Sequence, residues 1–172
     1  MFEEFNVLDM NLPVFKLINN SWMLITAGNL ENHNTMTASW GGMGIVWHTP
    51  MITIFVRPQR YTKQFLDREK FFTISFYEEK YKDALSFCGT HSGSDVNKDE
   101  KINFHPFKIG GSVAYEEASL VFYCEKTFST AIDENKILNK NIVENFYKEK
   151  DFHEIYIGKI EKTIVKKPNQ LF

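Results

Sequence analysis

Uncharged segments rich in β-branched and aromatic residues recur through the middle of the chain, and polar residues border each of them. This pattern is typical of β-strands. We predict strands over residues 21–27, 34–40, 51–57, 71–77, 119–128 and 153–160. In the fifth strand, Leu120, Phe122 and Cys124 occur at every second position, so they share one face, and Glu125 and Thr127 share the other.

Short helices separate some of these strands. The pattern predicts helices over residues 63–70, 81–87 and 133–148. Thr62 is the predicted N-cap of the first helix. In the third helix, Leu138, Ile142 and Phe146 follow a four-residue spacing that places them on one face. Strict alternation of strand and helix is missing, so the chain is predicted to be mainly β, an antiparallel barrel with peripheral helices.

Composition fits one globular domain over residues 1–172 and argues against several other classes. Hydrophobic residues make up 43% and charged residues 24% of the chain, which is typical of a folded domain. The net charge of -2 gives no basic surplus for nucleic-acid binding. Residues 32–56 carry no charge but hold too many polar residues for a membrane span. Two cysteines and an acidic amino terminus favour a reducing cytoplasm over export.

Motifs for common catalytic chemistry are missing from the sequence. The chain has no phosphate-binding loop and no dinucleotide fingerprint, and the glycines of 41–44 are predicted to lie in a turn. The histidines are scattered, so no metal site is expected. Cys88 beside Gly89 is a possible nucleophile, although a small apolar core residue is the commoner role of cysteine. No carboxylate pair stands out, which favours ligand binding or chemistry carried by a cofactor.

Two segments carry polar groups that suit a ligand. Hydroxyls at Thr35, Thr37 and Ser39 share one face of a predicted strand, as a row of donors or as an ordinary solvent-facing side. Residues 57–62 join a strand end to a helix start and contain two arginines. This junction suits a phosphate, with an ordinary polar connection as the alternative.

A third segment, residues 88–95, is rich in small residues and is followed by Lys98. Small residues allow the backbone to approach a ligand closely, and the lysine adds a positive charge. Taken alone, the segment is also typical of a flexible loop.

Together these segments resemble the flavin reductase-like family of FMN-binding split barrels, which includes flavoredoxins and ferric reductases. The matching stretches are N-T-M-T-A-S-W at 34–40, V-R-P-Q-R-Y-T at 56–62, C-G-T-H-S-G at 88–93 and H-E-I-Y-I-G-K-I at 153–160. The likeness extends over roughly residues 22–160. The order and spacing of the four stretches are more specific than any one of them.

The resemblance implies a six-stranded Greek-key split barrel that forms a homodimer, with FMN at the subunit interface. It implies a cofactor site in which Met36, Thr37, Ala38, Ser39 and Trp40 line the isoalloxazine, Arg57, Arg60, Tyr61 and Thr62 hold the phosphate, and Cys88, Gly89, Ser92, Gly93 and Lys98 complete the pocket. Ser94 stands where the family often has arginine, which puts a phosphate or nicotinamide contact from that loop in doubt.

The implied activity is that of an oxidoreductase in which FMN takes a hydride from NADH or NADPH. The chain is then a flavin reductase or a flavoredoxin-type electron-transfer protein, and no protein side chain is assigned as catalytic. Two alternatives stay open at this point. One is a non-enzymatic FMN-binding or electron-carrier protein, and the other is a ligand-free interaction barrel.

Overall fold

A computed structural model describes residues 1–166. The strands are β1 (Phe2–Phe5), β2 (Met23–Gly28), β3 (His33–Ala38), β4 (Gly41–Val46), β5 (Thr49–Val56), β6 (Phe71–Phe76), β7 (Pro106–Ile109), β8 (Ser112–Tyr115), β9 (Leu120–Ala131) and β10 (Glu154–Lys166). The helices are α1 (Val14–Lys16), which runs into a π-helical turn over Leu17–Ser21, α2 (Thr62–Arg68), α3 (Lys82–Thr90), α4 (Lys98–Ile102) and α5 (Lys140–Phe146). The basic tail of the sequence beyond Lys166 lies outside the described residues.

The main sheet is antiparallel, with the strand order β3-β2-β6-β9-β10-β5-β4, and β1 pairs with the end of β10. The β7–β8 hairpin packs against β2 and β6. The six predicted strands correspond to β2, β3, β5, β6, β9 and β10, and β1 and β4 extend the sheet beyond six strands. This mainly β split barrel with peripheral helices confirms the predicted fold class.

The barrel is split between β3 and β4, which are the two ends of the main strand order yet follow each other in the chain. The sheet curls until β3 lies near β5, the partner of β4. Ser39 and Trp40 connect Ala38, the last residue of β3, to Gly41, the first of β4. We call this crossing between the two edge strands the seam.

The barrel interior is closed by large apolar side chains. Leu120, Phe122 and Cys124 are buried there together, as the alternation in the sequence predicts. A second cluster, with Phe104 and Tyr115 among its members, fills the space beside the β7–β8 hairpin. Within residues 1–166, no helix combines the length and apolar character needed to cross a membrane.

The glycines of 41–44 lie in strand β4, so their assignment to a turn is wrong. The turn comes later, at Trp47 and His48, whose φ angles are 50° and 56°. The left-handed region favours glycine and asparagine. Because neither residue type occupies this turn, the sequence pattern does not indicate its position.

The predicted helix over 133–148 is also wrong in extent. A single 3₁₀ turn occupies Glu134–Lys136, and α5 begins only at Lys140. The side chains of Asp133 and Asn139 each accept a hydrogen bond from the backbone N–H two residues on. These local caps start two separate turns, so they compete with one continuous helix.

Candidate functional site

A cavity of about 190 Å³ opens at the seam. It is lined by Met36, Thr37, Ala38, Ser39, Trp40, Phe55, Arg57, Arg60 and His153. The five residues predicted to line an aromatic ring thus lie side by side at the crossing from β3 to β4. The volume is below the range of about 300–1,000 Å³ that is common for ligand pockets.

The row of hydroxyls on β3 is largely used inside the protein. Thr35 Oγ1 donates to the Ile25 carbonyl at 3.1 Å and lies 2.9 Å from Thr26 Oγ1. Thr37 Oγ1 donates to the Leu85 carbonyl at 2.5 Å. These bonds attach β3 to β2 and α3. Ser39 lines the cavity, and its hydroxyl makes no hydrogen bond to another of residues 1–166.

A neighbouring cavity of about 190 Å³ shares Arg60 with the seam cavity. It is lined by Asn34, Gln59, Arg60, Tyr61, Thr62, Thr90, His91, Ser92, Gly93 and Lys98. We call it the basic pocket. Six of the residues predicted from the second and third segments therefore meet around one space, although they come from positions 60–62 and 92–98 of the chain.

Two cations of the basic pocket are bonded only to neutral carbonyls among the described residues. Lys98 is 5% exposed, and its Nζ donates to the carbonyls of Thr35 at 2.7 Å and Cys88 at 3.0 Å. The half-buried Arg60 donates from Nη1 to the Gly89 carbonyl at 2.6 Å and from Nη2 to the Cys88 carbonyl at 3.2 Å. Within residues 1–166, no carboxylate forms an ion pair with either group.

Burial without a counter-charge is costly for both groups. It lowers the pKa of Arg60, and burial together with the Arg60 charge lowers the pKa of Lys98 to about 8. Asp99, the residue after Lys98, is engaged elsewhere: its carboxylate accepts from Tyr115 at 2.7 Å and lies 2.8 Å from His33 Nε2. A bound anion would supply the missing negative charge, so the pocket suits a phosphate.

Thr62 does not cap α2 as predicted, because it is the first helical residue and Tyr61 precedes it as the cap position. Its buried Oγ1 instead accepts a hydrogen bond from Asn34 Nδ2 at 2.7 Å. A hydroxyl that accepts in this way still has its own proton to donate. A Cβ on Gly93 would lie 1.8 Å from Asn34 Oδ1, which explains why glycine stands beside this pair.

Arg57 is separated from the basic pocket, although the sequence grouped it with Arg60. Its Nη1 lies 2.5 Å from Asp151 Oδ2, and its Nη2 donates to the Phe146 carbonyl at 2.9 Å. The guanidinium also lies 5.3 Å from the centre of the Tyr147 ring. Arg57 therefore lines the seam cavity, where it holds the segment after α5 against the barrel.

Cys88 and Gly89 lie behind the two cavities and contribute carbonyls rather than side chains. Cys88 is fully buried, and burial raises the pKa of its thiol to about 11. Both properties argue against a nucleophilic role for Cys88, because a buried thiol with a raised pKa stays protonated at neutral pH.

The structure adds residues that the sequence did not assign to the site. Phe55 and His153 line the seam cavity, and Asn34 and His91 line the basic pocket. Asn34 did carry a signal, since an amide side chain in a strand that is otherwise buried needs a polar partner. Phe55 gave none, because core packing explains a phenylalanine in a strand equally well.

The sequence matches the family model of the flavin reductase-like domain over residues 15–171. No curated protein matches the chain. Among solved structures, a flavoredoxin from Methanosarcina acetivorans superposes with a TM-score of 0.71 at 16% identity, covering 97% of this chain and 79% of the other. An FMN-binding domain of a flavin reductase-like enzyme from Shewanella baltica gives 0.66 at 15% identity, covering 96% and 77%. An NADH:FAD oxidoreductase from Streptomyces globisporus, in complex with NAD and FAD fragments, gives 0.64 at 16% identity, covering 85% and 74%. At identities of 15–16%, these similarities show that the fold is shared.

Proposed function

Because the chain belongs to the flavin reductase-like family, we propose that it is an FMN-dependent oxidoreductase that accepts a hydride from NADH or NADPH. The whole chain, residues 1–172, acts as one flavin-binding domain in this proposal. The observation that carries it is the basic pocket, where Arg60 and Lys98 have no carboxylate partner among residues 1–166 and adjoin the seam cavity.

The residues fit FMN in two parts. Arg60, Lys98 and the Thr62 hydroxyl are donors for the dianionic phosphate. Residues 36–40 line the seam cavity for the isoalloxazine, with the indole of Trp40 as an apolar wall. Arg60 borders both cavities, which supports a position between ring and phosphate.

Bound flavin would supply the hydride-accepting ring, so the protein needs to bind and orient rather than to transfer a proton itself. Of the two arginines that line the seam cavity, Arg57 is already neutralised, since it pairs with Asp151. The NAD and FAD fragments held by the Streptomyces globisporus protein support a nicotinamide as the donor. The Shewanella baltica structure is an FMN-binding domain, which favours FMN here.

A homodimer is part of the proposal. The seam cavity is small for a tricyclic ring, and apolar side chains beside it are exposed, with Trp40 at 38% and Phe146 at 48%. A second copy of the chain would cover this apolar rim and deepen the cavity.

A cytoplasmic location is also part of the proposal. The free cysteines Cys88 and Cys124 suit a reducing compartment.

The test of this function is a titration followed by an assay. FMN is added to the purified protein, its visible spectrum and fluorescence are recorded, and NADH and NADPH oxidation is then followed with free FMN or ferric iron as the acceptor. We expect binding at micromolar concentrations and oxidation of at least one nicotinamide. Binding without oxidation would favour the non-enzymatic electron carrier, and absence of binding would refute a flavin protein of any kind. FAD and riboflavin in parallel titrations identify the preferred flavin.

The pH dependence of FMN affinity is a prediction from Lys98. Only the ammonium form binds phosphate strongly, and the pKa of Lys98 in the free protein is about 8. FMN affinity should therefore be at its maximum below that pH. Above it, the affinity should fall about tenfold per pH unit, until the pH reaches the pKa of Lys98 in the FMN complex. The measurement should stay above about pH 6, because the second ionisation of a phosphate monoester has its pKa there and would change FMN affinity independently of Lys98.

The measurement is the dissociation constant of FMN and of riboflavin from about pH 6.5 to about pH 9.5. Riboflavin lacks the phosphate and should show no such fall. The variant Lys98→Met should bind FMN weakly with a flat profile. An unchanged slope in this variant would assign the titration to another group.

A further inference from the structure

His153 lies at the wall of the seam cavity and immediately precedes β10. It is 6% exposed. Its ring centre lies 4.9 Å from that of Trp40 and 6.3 Å from that of Phe55. The imidazole is thus fixed between two aromatic side chains that line the same cavity.

A hydrogen bond to Tyr147 favours one position for the ring proton of His153. Tyr147 Oη lies 2.9 Å from His153 Nδ1, and Tyr147 is 4% exposed. Within residues 1–166, the tyrosine hydroxyl makes no other hydrogen bond. If it donates to Nδ1, both groups are satisfied and the ring proton lies on Nε2. The reverse arrangement leaves a buried O–H without an acceptor, which is costly.

The surroundings keep this imidazole neutral. Burial is the main cause, and the positive charge of Arg57 adds to it, so that the pKa of His153 falls to about 4. Asp151 acts in the opposite direction, but its carboxylate is paired with Arg57 and accepts a hydrogen bond from Gln59 at 2.8 Å. Tyr147, the remaining titratable group in contact, stays protonated because burial raises its pKa.

We propose that Tyr147 locks His153 in the Nε2–H tautomer, so that His153 presents a neutral hydrogen-bond donor to an acceptor atom of the flavin ring. The inference rests on the proposed function for its ligand, and on the Tyr147–His153 contact for its chemistry. Within residues 1–166, Nε2 makes no hydrogen bond, which leaves its proton available to a ligand in the cavity.

A hydrogen-bond donor at this position would change the relative stability of the reduced and oxidised flavin ring. Reduction adds electron density to the heteroatoms of the flavin, and a hydrogen bond to one of them stabilises the reduced form more than the oxidised form. A neutral donor does this without placing a further positive charge beside Arg57. His153 therefore contributes to the reduction potential as well as to the orientation of the ring.

The first test uses the unliganded protein. In ¹⁵N-labelled protein, NMR at neutral pH should show His153 as a neutral ring with Nε2 protonated, unchanged down to about pH 5. Tyr147→Phe should convert this single tautomer to a mixture. An imidazolium or an Nδ1–H tautomer in the unchanged protein would overturn the inference, whether or not flavin binds.

The second test measures the FMN affinity and the reduction potential of the FMN-bound protein. His153→Phe keeps an aromatic ring but loses the donor, so FMN should bind about three- to tenfold more weakly and its reduction potential should move to a more negative value. His153→Gln carries an amide N–H at the matching length and should recover part of both losses. Equal potentials in the three proteins would overturn the inference. Failure of the unchanged protein to bind FMN would instead refute the proposed function and leave the tautomer to be decided by NMR.

Discussion

Replacing Arg60 with methionine is expected to weaken FMN binding about 10- to 150-fold while riboflavin affinity changes by less than about twofold. The guanidinium borders the basic pocket and is bonded only to the carbonyls of Cys88 and Gly89 among residues 1–166. A charged hydrogen bond contributes about 1.5–3 kcal/mol, and riboflavin has no phosphate to receive one. Isothermal titration with both flavins measures the two affinities directly.

Arg57→Met is the matched control for this substitution. It removes the same charge over the same side-chain length, but from the seam cavity, where Arg57 is already paired with Asp151. Its loss should release the segment from Phe146 to Asp151 and affect FMN and riboflavin alike. Selective loss of FMN in Arg57→Met, or equal loss of both flavins in Arg60→Met, would contradict the assignment of the phosphate to the basic pocket.

The contrast between these arginines shows what the sequence could provide. Both lie within the stretch 57–62, and nothing in their spacing indicates which has a partner. That information belongs to Asp151 and Phe146, some 90 positions along the chain. Sequence patterns place residues on elements, but whether a charge is compensated depends on contacts between distant elements.

Strands were predictable because their signal is local. The alternation of Leu120, Phe122 and Cys124 follows from the geometry of a single strand, and the structure buries that face. β4 was missed because its glycines resemble a turn when read alone. They form a strand because residues 41–46 pair with β5 along their whole length.

The row of threonines shows the same limit within the site. Their shared face followed from a period of two, and the structure places Thr37 and Ser39 at the cavity. The hydrogen-bond partner of each hydroxyl could not be predicted in this way. Thr35 donates to Ile25 and Thr37 donates to Leu85, and both acceptors lie on other elements. The packing of β2 and α3 against β3 uses the hydroxyls of Thr35 and Thr37, whereas the Ser39 hydroxyl makes no hydrogen bond within residues 1–166.

Gly158 extends this argument to stability, since it lies in the closing stretch H-E-I-Y-I-G-K-I but lines neither cavity. It is buried in β10 at a shift in register against β9. A Cβ built there would lie 2.5 Å from Phe72 Cζ and 3.0 Å from Cys124 Cβ. Phe72 is 1% exposed within the barrel core, so its ring has little room to withdraw. Close packing across the barrel therefore accounts for the glycine in this stretch.

Gly158→Ala should accordingly lower the free energy of unfolding by about 1–3 kcal/mol, the usual cost of an added methyl group in a packed core. For a chain of this size, that corresponds to a melting temperature lower by roughly 2–12 °C.

Gly44→Ala is the control within another strand, because a Cβ there would meet no described atom within 4 Å, and its effect should stay within about 0.5 kcal/mol. Urea unfolding of both variants without flavin measures the difference. A Gly158→Ala protein as stable as Gly44→Ala would show that the barrel relaxes around the new methyl group. FMN affinity at a temperature well below both transitions should be unchanged in either variant, since the packing of Gly158 supports the barrel rather than the site.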